Sequence, residues 1–315
     1  MTPILQEITL KSDQHFGRRL PPSTFGKALV EIPVVVRSAI SMAFRGRSSA
    51  KGKRPGWLSA ASDIRFVGHE GTDESVLHFE VPRLGEAADE LYQQGELWPT
   101  RPDANDTGFD LWCDILADVD AKNEDSDRFD PLMLRRLSSF KRVFDGTFQE
   151  MLITSHRYAS AHPGRMNSHT IATAEQLYSN TPVPRRVRLA GLLDMIRAST
   201  QSFALRLDDG QEVRGALVAG QIEELAPLFR KRVLVLGKAV YRASGRLLRV
   251  DADEVLLSSE QDRFFSNVPP PTHMTLNLKD ELRSQQSKMG LAAIIGKWPG
   301  DETDEEIEQA LKELS

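Results

Sequence analysis

The stretch RRVRLAGLLDMIRASTQSFALRLDDGQEVRGAL, residues 185–217, decides how this chain folds. Val187, Leu189, Gly191 and Leu193 alternate with Arg186, Arg188 and Ala190, the period-two pattern of a half-buried strand. Phe203, Leu205 and Leu207 repeat it against Ala204 and Arg206, up to Asp208, Asp209 and Gly210. An Asp-Gly pair between alternating runs predicts a hairpin, because glycine tolerates the positive φ that tight turns require. Val213, Gly215 and Leu217 continue a third strand. Ile222, Leu225, Leu228 and Phe229 then predict a helix, 231–242 a fourth strand, Ser244 and Gly245 a turn, and 247–257 a fifth strand.

A three-strand meander, one helix and two hairpinned strands resembles the element order of an OB-fold barrel. Gly191 suits the coil or bulge where the first strand serves both sheets. Upstream, two prolines between Thr181 and Pro184 mark a boundary. Residues 8–10 predict a short strand, and 25–44 a helical stretch that Pro33 should kink or restart. Residues 63–69 and 75–81 read as a hairpin, 85–95, 108–121 and 130–144 as helices, and 122–131 and 161–168 as loops. The expected class is α+β. A mixed α+β domain (1–180) is followed by a five-stranded OB-like β-barrel (184–260), then by a proline-rich linker and helical tail (261–315).

Composition narrows the class further. The chain has 315 residues, 40% hydrophobic, 27% charged, and a net charge of −5. It is neither collagen-like nor wholly disordered. Cys113 is the single cysteine, so no internal disulfide forms and a reducing cytoplasm is the expected location. The longest apolar stretch, 29–44, is broken by Glu31 and Arg37, and no membrane span or membrane partner is expected. The opening MTPILQEITL lacks the basic and apolar regions of a secretory signal. Basic residues exceed acidic ones in 1–60 and 181–260, and acidic ones prevail in 61–180 and 261–315.

The tail carries the sharpest functional lead. Prolines at 269–271 form a stiff spacer, and 278–289 predicts a helix with Asn277 as N-cap and Gly290 just past its end. Thr303 and Glu306 form a capping box, and Ile307, Ala310, Leu311 and Leu314 fall at i, i+3, i+4 and i+7. Such anchors seat a helix in a partner's groove, with Trp298 and Pro299 as a rigid aromatic lead-in and Asp301, Asp304 and Glu305 meeting a basic rim.

The segment GKWPGDETDEEIEQALKEL, residues 296–314, resembles the C-terminal tails of bacterial antitoxin-like proteins that accompany PIN-domain ribonucleases. The resemblance implies a protein partner, a toxin ribonuclease. It also implies a neutralising role for Trp298, Pro299, Gly300, Asp301 and Glu302, with Ile307, Leu311 and Leu314 as docking anchors. The tail is acidic, with only Lys297 and Lys312, whereas a carboxylate-lined nuclease site calls for Arg or Lys. It would therefore grip such a toxin away from its active site.

A second reading is a nucleic-acid-binding accessory protein. Arg186, Arg188, Arg206, Lys238, Arg242, Arg246 and Arg249 would line a positive groove on the barrel, helped by the basic loop RGRSSAKGKR at 45–54. A third is an enzyme with a site in 61–180, using groups such as Asp114 and His156. Asp110, Asp114, Asp118 and Asp120 fall roughly on one helical face, which reads as a solvated acidic face before it reads as a cation site. His156, His162 and His169 lack a ligand spacing, and 118–124 lacks the glycine of a calcium loop. No Gly-rich phosphate loop, nucleophile elbow or HExxH occurs, so no catalytic residue, metal or cofactor is assigned. Cys113 beside Trp112 reads as a small buried hydrophobe.

Overall fold

A computed structural model describes residues 3–49, 54–93, 101–157, 164–218 and 220–271. Met1–Thr272 make one compact unit that contains two hydrophobic cores.

The first core lies under a five-stranded sheet. Strands β1 (Ile4–Lys11), β2 (Arg65–Glu70), β3 (Ser75–Val81), β4 (Glu150–Ile153) and β5 (Gly164–Asn167) line up in the order β2-β3-β1-β4-β5, every neighbouring pair antiparallel. Alternation turns Ile8, Leu10, Leu77, Phe79, Met151 and Ile153 to one side. There they meet helices α1 (Pro22–Arg45), α4 (Gly108–Asp120), α5 (Pro131–Ser139) and α6 (Ser168–Asn180), with short helices α2 (Gly56–Ala61) and α3 (Leu84–Ala87) at the margin.

Helix α1 is unbroken through Pro33, which neither ends it nor starts a new helix. Ile32, Val35, Val36, Ala39 and Ile40 are all in the core, and their burial outweighs the backbone hydrogen bond that proline removes. Gly46, at φ 64, caps the end by donating its N–H to Met42 O at 2.9 Å. The expected helix at 130–144 is α5 followed by a 3₁₀ turn at Phe140–Arg142, and that at 85–95 is α3 followed by a 3₁₀ turn at Asp89–Leu91. Residues 164–167, expected as loop, are the edge strand β5, paired to β4 and buried only through Gly164 and Met166. Asn167 then opens α6 by accepting the N–H groups of His169 and Thr170.

The second core fills a closed OB-like barrel. Its strands are β6 (Arg185–Arg197), β7 (Ser202–Arg206), β8 (Glu212–Leu217), β9 (Arg232–Tyr241) and β10 (Leu247–Leu257). Neighbours run β6-β7-β8-β10-β9 and back to β6, all antiparallel except β8 with β10. Strand β6 serves both sheets, pairing with β9 up to Leu192 and with β7 from Leu192 onward, with a bulge between Leu193 and Met195. At Gly191 a Cβ would lie 2.9 Å from Arg206 O, so glycine lets the end of β7 close over the bend. The element between β8 and β9 is a 3₁₀ helix, Ile222–Leu228, because Pro227 sits inside it. After β10 a 3₁₀ turn (Glu260–Phe265) leads to prolines 269–271. Tyr241 Oη donates to Pro269 O at 3.3 Å and an Arg185 guanidinium N–H donates to Pro270 O at 2.8 Å. The expected helices at 278–289 and in the tail, with Trp298, Pro299, Asp301, Glu302, Ile307, Leu311 and Leu314, lie outside the described residues.

Candidate functional site

Inside the barrel Phe203, Leu205, Val213 and Leu217 point to the core. Ala204 and Ala216 lie on the opposite side of β7 and β8, yet they are also buried. Something therefore covers the outer face of these two strands, and that cover is the N-terminal half of the same chain. Arg47 Nη1 donates to Leu217 O at 3.0 Å, the Trp57 indole donates to Ser199 O at 3.3 Å, and Arg45 reaches Gln201 at 3.5 Å. The β9–β10 connection is held as well. Ser244 N–H donates to Glu124 O at 3.2 Å, Arg246 pairs with Asp125 at 3.3 Å, and Arg242 and Arg214 both pair with Asp127. OB-type barrels take oligonucleotides through the second and third strands and the loops after the first and fourth. In this chain those elements are β7, β8 and the loops at 198–201 and 242–246, and β8 and both loops bond to the chain's own first half.

The seam between the halves is rich in buried charge. Arg249 on β10 pairs with Asp130 at 3.1 Å and with Asp251 at 2.8 Å, and donates to Gly46 O at 2.9 Å. Asp130 is the N-cap of α5. It accepts the Met133 N–H at 3.0 Å, the Ser48 hydroxyl at 2.6 Å and the Ser48 N–H at 3.1 Å. Arg136 donates to the Ser38 hydroxyl and to Ser48 O. Burial, and then repulsion from Arg45, push the Arg47 guanidinium down to about 10.

The seven barrel residues expected to contact nucleic acid therefore fall in different places, Arg246 being already held by Asp125. Arg186 and Lys238 face each other in register across β6 and β9, both exposed. Arg188 stands 5.7 Å from the Phe265 ring centroid. Arg186 and Arg188 line an open depression of about 550 Å³ that also holds Asp253 and Glu254. Arg206 pairs with Asp194 at 3.7 Å, Arg242 is held by Asp127, and Arg249 is buried in the seam. Only Arg186, Arg188 and Lys238 share an exposed flank.

The carboxylates of α4 make structural contacts, and Asp120 is also exposed to solvent. Asp110 completes a capping box with Thr107 and accepts the Ser155 hydroxyl at 2.6 Å. Arg157 binds Asp106 through Nε at 2.9 Å and Asp114 through Nη1 at 3.0 Å. Asp118 pairs with Arg128 at 2.9 Å, and Asp120 accepts the Thr170 hydroxyl at 2.8 Å. Among the described residues no three His, Cys, Asp or Glu side chains are grouped so as to hold a metal ion, and no helix is long and apolar enough to cross a membrane. His162 lies outside the described residues. Cys113 is buried against Gly164, and desolvation pushes its thiol up to about 12.

The seam was not legible from local sequence. The stretch 45–54 looks like an exposed basic loop, yet Arg45 and Arg47 are 7% and 4% exposed. The available signal was Arg249, the one basic residue of β10, set between apolar Leu248 and Val250. Comparison with protein families, with curated proteins and with solved structures gives no match to this chain.

Proposed function

We propose that this chain is a protein-interaction module, the neutralising half of a bacterial toxin–antitoxin pair, acting in the cytoplasm and engaging its partner through the tail anchors Trp298, Ile307, Leu311 and Leu314. One observation supports the interaction reading. The barrel surface on which OB-type folds take oligonucleotides is used here for contact with protein, through Arg47 on Leu217 O, Trp57 on Ser199 O and Asp127 on Arg214 and Arg242. The antitoxin assignment itself rests on the tail segment 296–314.

The test compares the full chain with a version ending at Met289 in pull-downs from the native host, followed by co-expression with whatever protein is retained. A toxic ribonuclease held by the full chain, lost on truncation and neutralised only by the full chain supports the reading. The double variant Trp298→Ala/Leu311→Ala should reproduce the truncation with the thermal midpoint unchanged. A partner retained equally by both versions, or none at all, overturns it.

A second reading, nucleic-acid binding, draws on the exposed trio Arg186, Arg188 and Lys238. It requires affinity for a single-stranded oligonucleotide that falls steeply with salt, and a shallower salt slope when all three are changed to Glu. No binding at low salt removes it.

A further inference from the structure

The seam holds more positive than negative charge, and two of the unpaired cations sit together where α1 ends. Arg249 has two carboxylate partners, Asp130 and Asp251, and Asp130 is further occupied by Ser48 and the Met133 N–H. Arg45 and Arg47, on either side of the α1 cap, pair with no carboxylate among the described residues. Their partners there are neutral, the Gln201 side chain at 3.5 Å for Arg45 and Leu217 O at 3.0 Å for Arg47. Both side chains are more than nine-tenths buried, and the Nε atom of each is buried with no hydrogen-bond partner. Asp251 attracts the Arg47 guanidinium from beyond ion-pair distance, and Arg45 has no carboxylate partner among the described residues; a buried guanidinium so placed is costly, and an unsatisfied buried donor calls for a bound ion or a comparable partner.

We propose that the C-terminal end of α1 is a binding site for a phosphate group, held between the guanidiniums of Arg45 and Arg47 where the helix meets the barrel. The chemistry selects phosphate over a carboxylate. Two adjacent guanidiniums carry two positive charges and two forks of N–H donors, which a tetrahedral dianion satisfies together and a single carboxylate does not. Gly46 in the left-handed region ends the helix between the two arginines. The phosphate arrives either as a free ion or small ester, or as part of a nucleic-acid backbone. This site is independent of the tail-mediated partner binding proposed above.

The experiment is calorimetric titration of the full chain with inorganic phosphate near neutral pH, ionic strength being matched with sodium chloride. Saturable binding to the natural chain is expected, weakened by about tenfold or more in Arg45→Gln. The thermal midpoint of Arg45→Gln in chloride should equal or exceed that of the natural chain, because the variant removes an uncompensated charge. A purely structural role predicts a lower midpoint in either buffer. Arg47→Lys keeps the charge but loses the fork, so it should weaken phosphate binding less than Arg45→Gln does. Competition by a short single-stranded oligonucleotide assigns the phosphate to nucleic acid, and its failure assigns it to a free ion or small ester. Phosphate indistinguishable from chloride, or an affinity unchanged in both variants, overturns the proposal.

Discussion

The Arg249 guanidinium, carried by the last strand of the barrel, lies 3.1 Å from the Asp130 carboxylate, which caps a helix of the N-terminal half, and both side chains are more than nine-tenths buried. One ion pair thus ties a helix start in the first core to a strand of the second. Removing Asp130 leaves the buried Arg249 with Asp251 as its one remaining ion-pair partner among the described residues, and removing Arg249 leaves the Asp130 carboxylate buried without its cation. Asp130→Ala should lower the unfolding free energy by about 3–5 kcal/mol, including the lost helix cap. Arg249→Met added to Asp130→Ala should cost much less than the sum of the two single changes. Urea unfolding followed by circular dichroism measures both; a loss below about 1 kcal/mol for Asp130→Ala would show the pair to be idle.

Asp110 makes the stability acid-sensitive. Burial by itself would raise its carboxyl, but hydrogen bonds from the Ser155 hydroxyl, from the Thr107 and Arg157 backbone N–H groups and from the Thr107 hydroxyl outweigh it and hold the group below 3.8. A carboxyl whose pKa is lower in the folded chain adds stability above its unfolded value and loses it as pH falls through the folded value. The unfolding free energy should therefore drop as pH is lowered from 3.8 downward. Asp110→Asn should flatten that fall. Some slope survives, because exposed Asp208 and Asp262 are shifted in the same direction. Equal acid sensitivity in the variant and the natural chain would exclude Asp110 as the source.

The thiol of Cys113 should be silent in the folded chain. It is 6% exposed and pushed up to about 12 by desolvation, so near pH 8 almost none of it is thiolate. A chromogenic disulfide reagent should find no reactive thiol until denaturant is added, and then one per chain. Reaction under native conditions at the rate of a free thiol would contradict the burial.

Gly215 leaves room for a ring. A Cβ there would fall 2.2 Å from the Phe203 side chain, and the backbone is held on both sides by β7 and β10. Gly215→Ala should cost about 1–3 kcal/mol through overpacking. Phe203→Leu in the same chain should recover part of it, as read from thermal midpoints.

The barrel was readable because its signals are local. Inward residues alternate along each strand, and Asp208 to Gly210 and Ser244 to Gly245 supply the turns. Strand β5 escaped notice because four residues with one large apolar side chain carry no period, and their pairing with β4 is a tertiary matter. Helix α6 did leave a trace, an Asn cap followed by Ile171, Ala174 and Leu177, but threonines and alanines dilute its apolar stripe. The flank with Arg186, Arg188 and Lys238 follows from the same alternation. Arg249 defeats it: beside inward Val250 it reads as a surface residue, and what covers it comes from Gly46 and Asp130, far away in the chain.

That separation has a consequence for synthesis. The chain emerges from its N-terminus, so Arg47 and the carbonyl of Gly46 leave the ribosome long before Leu217 and Arg249, the groups they finally meet. Through that interval the first core can assemble, but Arg45 and Arg47 lack the Gln201 side chain and the Leu217 carbonyl that they finally meet. Arg249 and Asp251 arrive later still, on the strand that closes against β8, so the first half cannot complete its charged contacts until the barrel strands have been made.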